Sequence, residues 1–186
     1  MVWNLFLAFI PLVLSLFLFR PIANYRVLWW IVLLIFIAFL PNAPYVLTDS
    51  IHLIELSQKD YSIGAIIFIL IPQYTLFIFA GFEAYAVSIT RLENYLQDFI
   101  AAKYLPLIKI TIHSLCVIGI YIGRFERFNS WDFIAQPINL ILTTAEDLLD
   151  GSKLLSMFFS LILLWLLTEF IKLVNHQIAL AINPDV

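Results

Sequence analysis

The chain has 186 residues, of which 63% are hydrophobic and only 12% are charged. Soluble domains are closer to half apolar and a quarter charged, so this composition excludes an ordinary soluble domain and predicts an integral membrane protein. The net charge of −3 provides no basic surface for nucleic acid, and a single cysteine, Cys116, excludes an intramolecular disulfide. We expect one integral-membrane domain over residues 1–186, with the lipid bilayer as its main partner.

Five apolar stretches approach the roughly 20 residues that a helix needs to cross a bilayer. The first has no basic segment before it and no A-x-A site after it, so we expect it to be retained rather than cleaved. The predicted fold class is all-α: a polytopic transmembrane helix bundle with about five spans, a short outer helix and an interfacial amphipathic helix. The predicted spans are residues 2–19, 27–47, 61–83, 105–122 and 154–174.

The distribution of Lys and Arg predicts the orientation, because cytoplasmic loops carry an excess of both. One side of the membrane would carry Lys59, Arg124, Arg127 and Lys153, and the other Arg20, Arg26, Arg91, Lys103, Lys109 and Lys172. We therefore predict a multi-pass protein of the plasma membrane with its N-terminus outside and its C-terminus in the cytoplasm. In either orientation the loops 41–60 and 123–153 share a face, because two spans separate them.

The first of these loops begins with the sequence PNAP. Pro41 and Pro44 remove two backbone donors and favour extended conformations at Leu40 and Ala43, so a regular helix should break here. Such irregular backbone is tolerated at membrane depth only where it is buried in protein or lines a wet cavity.

A short helix through Ser57 should follow, with Thr48 or Asp49 as its N-cap. Asp49, His52 and Glu55 are spaced by three, so consecutive pairs are neighbours on that helix. These residue types suit a divalent metal or acid–base chemistry, but their spacing is not a recognised ligand signature. No metal is therefore predicted, and capping is the simpler role for Asp49.

The second loop contains the sequence GRFERFNSWD. Arg124 and Arg127 are three apart, so both would lie on one side of the fourth helix if that helix continues so far. Two guanidinium groups can hold a phosphate or a carboxylate. The alternative is an anchor, in which arginines snorkel and aromatic residues form an interfacial belt.

Residues 137–150 have the pattern of an amphipathic helix, with Pro137 at its first position and Gly151 just past its end. This helix is too polar to span, so we expect it in the interface, its apolar face against lipid or the bundle. The apolar face comprises Ile138, Ile141, Leu142, Ala145, Leu148 and Leu149, and the polar face Asn139, Thr143, Glu146, Asp147 and Asp150.

One stripe of the fourth span combines polar and apolar residues: Lys109, His113, Cys116, Ile120 and Arg124. Ionisable residues inside a span usually face the bundle and pair with one another. We expect Lys109 to pair with Glu83 or Glu169, and a buried His113 to bond to a neighbouring Ser, Thr or Tyr. In the third span Pro72 predicts a kink.

The chain resembles a bacterial membrane protein family catalogued as domain of unknown function 1361. The resemblance rests on two blocks, LPNAPYVLTD followed by His52 and Leu53, and GRFER followed by NSWD. It implies a small polytopic membrane protein of the bacterial inner membrane and supplies no reaction, substrate or cofactor.

Three functions remain open at this point. The first is an outward-facing polar site for an anionic headgroup or a lipid-linked ligand, enzymatic or not, and the second is a transporter subunit or permease, for which a homodimer would supply the missing inverted repeat. The third is a membrane scaffold or assembly factor that binds no ligand. The candidate binding residues are Asn42, Tyr45, Asp49, His52, Arg124, Arg127, Asn129 and Asp132, and the intramembrane polar residues are His113, Lys109, Glu83 and Glu169.

Overall fold

The computed structural model describes residues 2–20, 26–58, 61–128 and 132–182, without the side chains of Arg26, Glu55, Ser57, Phe133 and Ile134. Every element in these residues is helical, which confirms the all-α prediction. The α-helices are α1 (Val2–Leu18), α2 (Arg26–Phe39), α3 (Asn42–Tyr45), α4 (Ser50–Ser57), α5 (Ile63–Ala65), α6 (Ile71–Gln97), α7 (Leu105–Tyr121), α8 (Asp132–Ala135), α9 (Pro137–Leu149) and α10 (Gly151–Ile182). Turns of 3-10 helix occupy Val46–Asp49 and Ala102–Tyr104, and π-helical turns occupy Ile66–Leu70 and Ile122–Glu126.

Four helical stretches in the described residues are long and apolar enough to cross a membrane: Val27–Ile54, Ile63–Gln97, Ala102–Glu126 and Gly151–Ile182. The chain is therefore a multi-pass membrane protein. The first helix, α1, is apolar but has 17 residues, which at 1.5 Å per residue gives about 26 Å. Five spans stay a prediction.

The chain divides into two compact units, Met1–Tyr85 and Ala86–Val186, called unit 1 and unit 2 below. In unit 1, α1 packs against α2 and α3. The rings of Phe19 and Phe36 meet edge to face with centroids 5.4 Å apart, and the side chains of Phe36, Leu40 and Val46 are almost fully buried. The PNAP segment is thus part of the core of unit 1.

The predicted extended conformation of the PNAP segment is wrong, although the predicted break is present. Pro41 is in the right-handed helical region and precedes α3, which contains Ala43 and Pro44. The first N–H groups of a helix have no intrahelical partner, so Pro44 loses no hydrogen bond there. The chain therefore passes from α2 to α4 through a turn, the short α3 and a 3-10 turn, with Pro41, Asn42–Tyr45 and Val46–Asp49 all in helical backbone.

Gly81 allows this irregular segment to approach α6 closely. A Cβ at position 81 would lie 2.5 Å from Cγ2 of Val46 and 3.2 Å from the carbonyl oxygen of Ala43. Contacts that short require the backbone to move, so a larger residue would separate α6 from the segment. The position of the PNAP segment in unit 1 depends on this glycine.

The irregularity predicted at Pro72 lies one turn earlier, in the π-helical turn Ile66–Leu70. Proline lacks an N–H and its ring clashes with the carbonyl four residues before it, which is that of Phe68. A π-helical turn replaces the regular hydrogen-bond pattern there, which accommodates the proline.

In unit 2, α7 packs against α10, and α9 packs against the start of α10. The helix containing the third predicted span does not end at residue 83, since α6 continues to Gln97 and contributes its last turns to unit 2. The predicted stripe of α7 faces inward, with His113 and Cys116 buried and Lys109, Ile120 and Arg124 half-buried.

The amphipathic helix is present, since α9 begins at Pro137 as predicted and ends at Leu149. Gly151 follows its C-cap residue but has no positive φ and begins α10. The predicted apolar face is exposed, with Ile138 71% and Leu149 87% exposed, so it does not pack against the bundle, and its contact with lipid stays a prediction.

Candidate binding site

The end of unit 2 near the start of α7 holds a charged network of four residues from three helices. Nζ of Lys109 lies 2.6 Å from Oε1 of Glu169 and 3.3 Å from Oε1 of Glu93. Nζ of Lys172 lies 2.5 Å from Oε2 of Glu93 and 3.5 Å from Oε1 of Glu169. Two lysines and two glutamates thus neutralise one another, and we call this set the closed network.

The surroundings of the closed network leave little room for a ligand. Glu93 and Lys109 line a cavity of about 10 Å³ whose other lining residues are apolar. A volume of that size is close to what one water molecule needs. His113 is fully buried, its ring meets that of Trp165 edge to face at 5.5 Å, and Nζ of Lys109 lies 5.2 Å from the Trp165 ring. The ion pairs and ring contacts at this end of unit 2 hold α6, α7 and α10 together.

In unit 1, the side chain of Asp49 does not cap α4, contrary to the prediction. Its backbone is helical and its side chain makes no capping hydrogen bond. The amide Nδ2 of Asn4 instead donates to Oδ1 of Asp49 at 3.0 Å and to Oδ2 at 3.2 Å. Asp49 is 1% exposed, so its carboxylate is committed to a contact between α1 and the start of α4.

The other candidates of the first block have different surroundings. Asn42 donates from Nδ2 to the carbonyl oxygen of Phe39 at 3.0 Å, and Tyr45 is half-buried. His52 is exposed, whereas Asp49 is buried, so the two side chains do not share one environment. Glu83 is half-buried in unit 1.

In unit 2, Arg124 lies in the π-helical turn Ile122–Glu126 that ends the span containing α7. It is half-buried and continues the inward stripe that contains His113 and Cys116. Among the described residues no carboxylate forms an ion pair with its guanidinium. Single π-helical turns within α-helices occur frequently at functional sites.

Arg127 leaves the helix instead of sharing a face with Arg124. It has φ of 60° and ψ of 25°, the left-handed conformation that usually belongs to glycine or asparagine at a helix end. The helix therefore stops one residue short of what the predicted spacing needs. Arg127 is exposed next to the π-helical turn that holds Arg124.

A second charged group lies at the same end of unit 2. Nζ of Lys153 lies 2.6 Å from Oδ1 of Asp147 and 3.8 Å from Oε1 of Glu126. Asp147 is 2% exposed, and its Oδ2 is buried with no hydrogen-bond partner among the described residues. We call Arg124, Glu126, Asp147 and Lys153 the open group, because it leaves both a guanidinium and a carboxylate oxygen available.

The predicted polar face of α9 is divided between two environments. Asp147 is buried and Thr143 is half-buried, whereas Asn139 and Glu146 are exposed. At the end of this helix Asp150 is exposed and accepts hydrogen bonds from the hydroxyl of Ser152 at 2.7 Å and from its backbone N–H at 2.9 Å. These bonds favour the charged form and lower the pKa of Asp150.

Asp132 is half-buried and begins α8, where a carboxylate suits the positive end of a helix. Asn129 lies outside the described residues. Among the described residues no group of three His, Cys, Asp or Glu side chains is arranged to hold a metal, and the side chain of Glu55 is outside that set. The two predicted blocks fall in different units, so their convergence stays a prediction.

Sequence reasoning missed Glu93, Lys172 and Asp147 as members of these groups. For Glu93 a signal was present, since no proline or glycine lies between Gly81 and Gln97 and the helix had no reason to stop at residue 83. For Asp147 the periodicity separated two faces of α9 but did not say which residues of the polar face point inward.

The comparisons with known proteins support a family but no activity. A family model described as a protein of unknown function (DUF1361) matches residues 3–174. No curated protein and no solved structure matches the chain.

Proposed function

The chain belongs to the DUF1361 family, and we propose that it binds the anionic headgroup of a lipid or lipid-linked molecule at the open group of unit 2. The charge distribution predicts that this face lies outside the plasma membrane. The proposal concerns binding, since the residues assign neither a reaction nor a cofactor.

The observation that carries the proposal is the state of Arg124 together with its place in a π-helical turn beside a second cation, Arg127. A guanidinium is effectively always protonated, and removing it from water is unfavourable unless a counter-charge is present. Arg124 is half-buried without an ion pair in the described residues, while Lys109, Lys153 and Lys172 each have one. A bound phosphate or carboxylate would supply the missing counter-charge and accept two parallel hydrogen bonds.

The depth of Arg124 suits a headgroup. The helical stretch Ala102–Glu126 has 25 residues and a length of about 37 Å, which exceeds the roughly 30 Å of the hydrocarbon core. Arg124 is two residues from its end, where lipid phosphates lie. Arg127 adds a second positive charge beside it in a conformation that costs about 1–2 kcal/mol, and such strain is often retained at binding sites.

The test compares two arginines of unit 2. Arg91 is also half-buried without an ion pair among the described residues but lies near the other end, so R91Q is the matched control for R124Q. Each protein is placed in phosphatidylcholine nanodiscs containing a small fraction of phosphatidylglycerol, and bound lipid is counted by native mass spectrometry. Charged hydrogen bonds of this kind predict affinity about ten- to hundredfold weaker for R124Q, and little change for R91Q.

Two further arms identify the ligand and challenge the proposal. R124K keeps the charge but loses the planar fork, so its affinity should be intermediate. Soluble glycerol phosphate added to pure phosphatidylcholine nanodiscs distinguishes a free anion from a lipid. Equal phosphatidylglycerol binding by the wild type, R91Q and R124Q would contradict the proposal and favour a scaffold that binds no ligand.

A further inference from the structure

We infer that Asp147 is the hydrogen-bond acceptor of the open group, and that the headgroup bound there carries a hydroxyl or amino donor next to its phosphate. This inference rests on the proposed function and narrows the class of ligand. Its basis is one buried oxygen atom, Oδ2 of Asp147.

Asp147 has only half of its hydrogen-bonding capacity used. Its Oδ1 accepts from Lys153 at 2.6 Å, whereas its Oδ2 is buried and has no hydrogen-bond partner among the described residues. A buried carboxylate oxygen without a donor is unfavourable, and such atoms in native proteins normally face a water, an ion or a ligand group. The free oxygen therefore indicates a missing donor.

The position of Asp147 connects it with the arginine of the proposed site. Lys153 lies between Asp147 and Glu126, and Glu126 belongs to the same π-helical turn as Arg124. Asp147 thus reaches the level of that turn from α9 through Lys153, while the apolar face of α9 is exposed. A ligand entering from the headgroup region would meet a guanidinium and a carboxylate from two different helices.

The chemistry of the pair selects a particular kind of headgroup. Arg124 provides donors only and suits a phosphate, whereas an ionised carboxylate provides acceptors only and repels one. A ligand that satisfies both must combine a phosphate with a donor a few bonds away, as a phosphoglycerol or phosphoethanolamine group does. A simple alkyl phosphodiester would leave Oδ2 of Asp147 unsatisfied.

Two lipids of equal charge test the inference on the wild-type protein. Phosphatidylglycerol carries hydroxyl donors, and phosphatidylmethanol carries the same phosphodiester with a methyl group instead. In the nanodisc assay the wild type should prefer phosphatidylglycerol by about tenfold, as one hydrogen bond to a charged group predicts. D147A should lose this preference, so that its affinities for the two lipids become equal.

D147N keeps the size of the side chain and serves if D147A does not fold. In D147N the amide oxygen would accept the hydrogen bond from Lys153, which places the NH₂ group at the position of Oδ2. Because an NH₂ group donates, the preference for phosphatidylglycerol should fall. Equal wild-type binding of the two lipids, with both still dependent on Arg124, would overturn the inference and leave the proposed function standing. Binding of neither lipid would overturn both.

Discussion

In the closed network, at one end of unit 2, two lysines and two glutamates neutralise one another. In the open group, at the other end, one lysine forms ion pairs with two carboxylates, and the arginine has no ion pair among the described residues. Both ends use residues of α10 together with residues of α7 or of the π-helical turn that follows it, and both lie in a protein of low charge content. Every charge of the closed network has an opposite charge within 3.3 Å, although Oε1 of Glu93 makes no hydrogen bond among the described residues. The open group leaves one donor group and one acceptor atom to be satisfied by something else.

The largest expected effect is on stability, from breaking the closed network by K109M. Removing one partner of a buried pair costs about 3–5 kcal/mol, and partial exposure of these side chains, 18% for Lys109 and 39% for Glu169, lowers our expectation to about 2–3 kcal/mol. The free energy of unfolding can be measured in mixed micelles by loss of helical signal. The control is K103M, which removes an exposed lysine 4.8 Å from the Tyr104 ring and should cost at most about 1 kcal/mol. If both variants lose equally little, the closed network does not stabilise unit 2.

An intermediate effect on the free energy of unfolding should follow from N4A, which extends the comparison to a buried carboxylate of unit 1. Asn4 donates a hydrogen bond to each oxygen of the buried Asp49, so its removal would leave that carboxylate without them. We expect a loss of about 1–3 kcal/mol in the same unfolding measurement, because the whole desolvation penalty then remains. N4A combined with D49A should recover part of this loss. An N4A protein as stable as the wild type would mean that Asp49 finds water instead.

The smallest expected effect on the free energy of unfolding is an increase, caused by R127G. Glycine adopts the left-handed conformation without the cost of about 1–2 kcal/mol, while the favourable charge at a helix end, about 0.3–1 kcal/mol, is lost. We therefore expect R127G to be more stable by about 0.5–1 kcal/mol and to bind phosphatidylglycerol more weakly. R127A, which loses the charge but keeps the strain, is the matched control. A destabilised R127G would show that the arginine side chain makes a stabilising contact.

The sequence predicted the elements better than the environment of their polar residues. The first position of α9, the end of α4 at Ser57 and the inward stripe of α7 all follow from capping and periodicity, which are local properties. The partner of Asp49 depends on a contact between residues 45 positions apart, which no local pattern encodes. For Lys109 the rule that charges inside a span pair with one another predicted Glu83 or Glu169, and the structure confirms the pair with Glu169, 60 positions away.

For the candidate site, the sequence identified Arg124 from its position and its chemistry, but not the carboxylate beside it. A polar face predicts solvent in a soluble protein, whereas next to lipid the apolar face points outward and polar residues can face the interior. Asp147 is buried and paired with Lys153 of α10, although the pattern placed it on the polar face of α9. The inward residues of an amphipathic helix in a membrane protein can therefore be named only from the structure.

The length of α10 has a further consequence for the membrane in which the protein can work. Lys153 of the open group and Lys172 of the closed network are 19 residues apart on this helix, which places them about 28 Å apart along its axis. That distance is close to the thickness of the hydrocarbon core of an ordinary bilayer, about 30 Å. Helix α10 thus carries one charged group near each surface of a bilayer of that thickness. A markedly thicker bilayer would draw one group into hydrocarbon or force the lipid to thin around it, so the protein should partition towards membranes whose thickness fits this spacing.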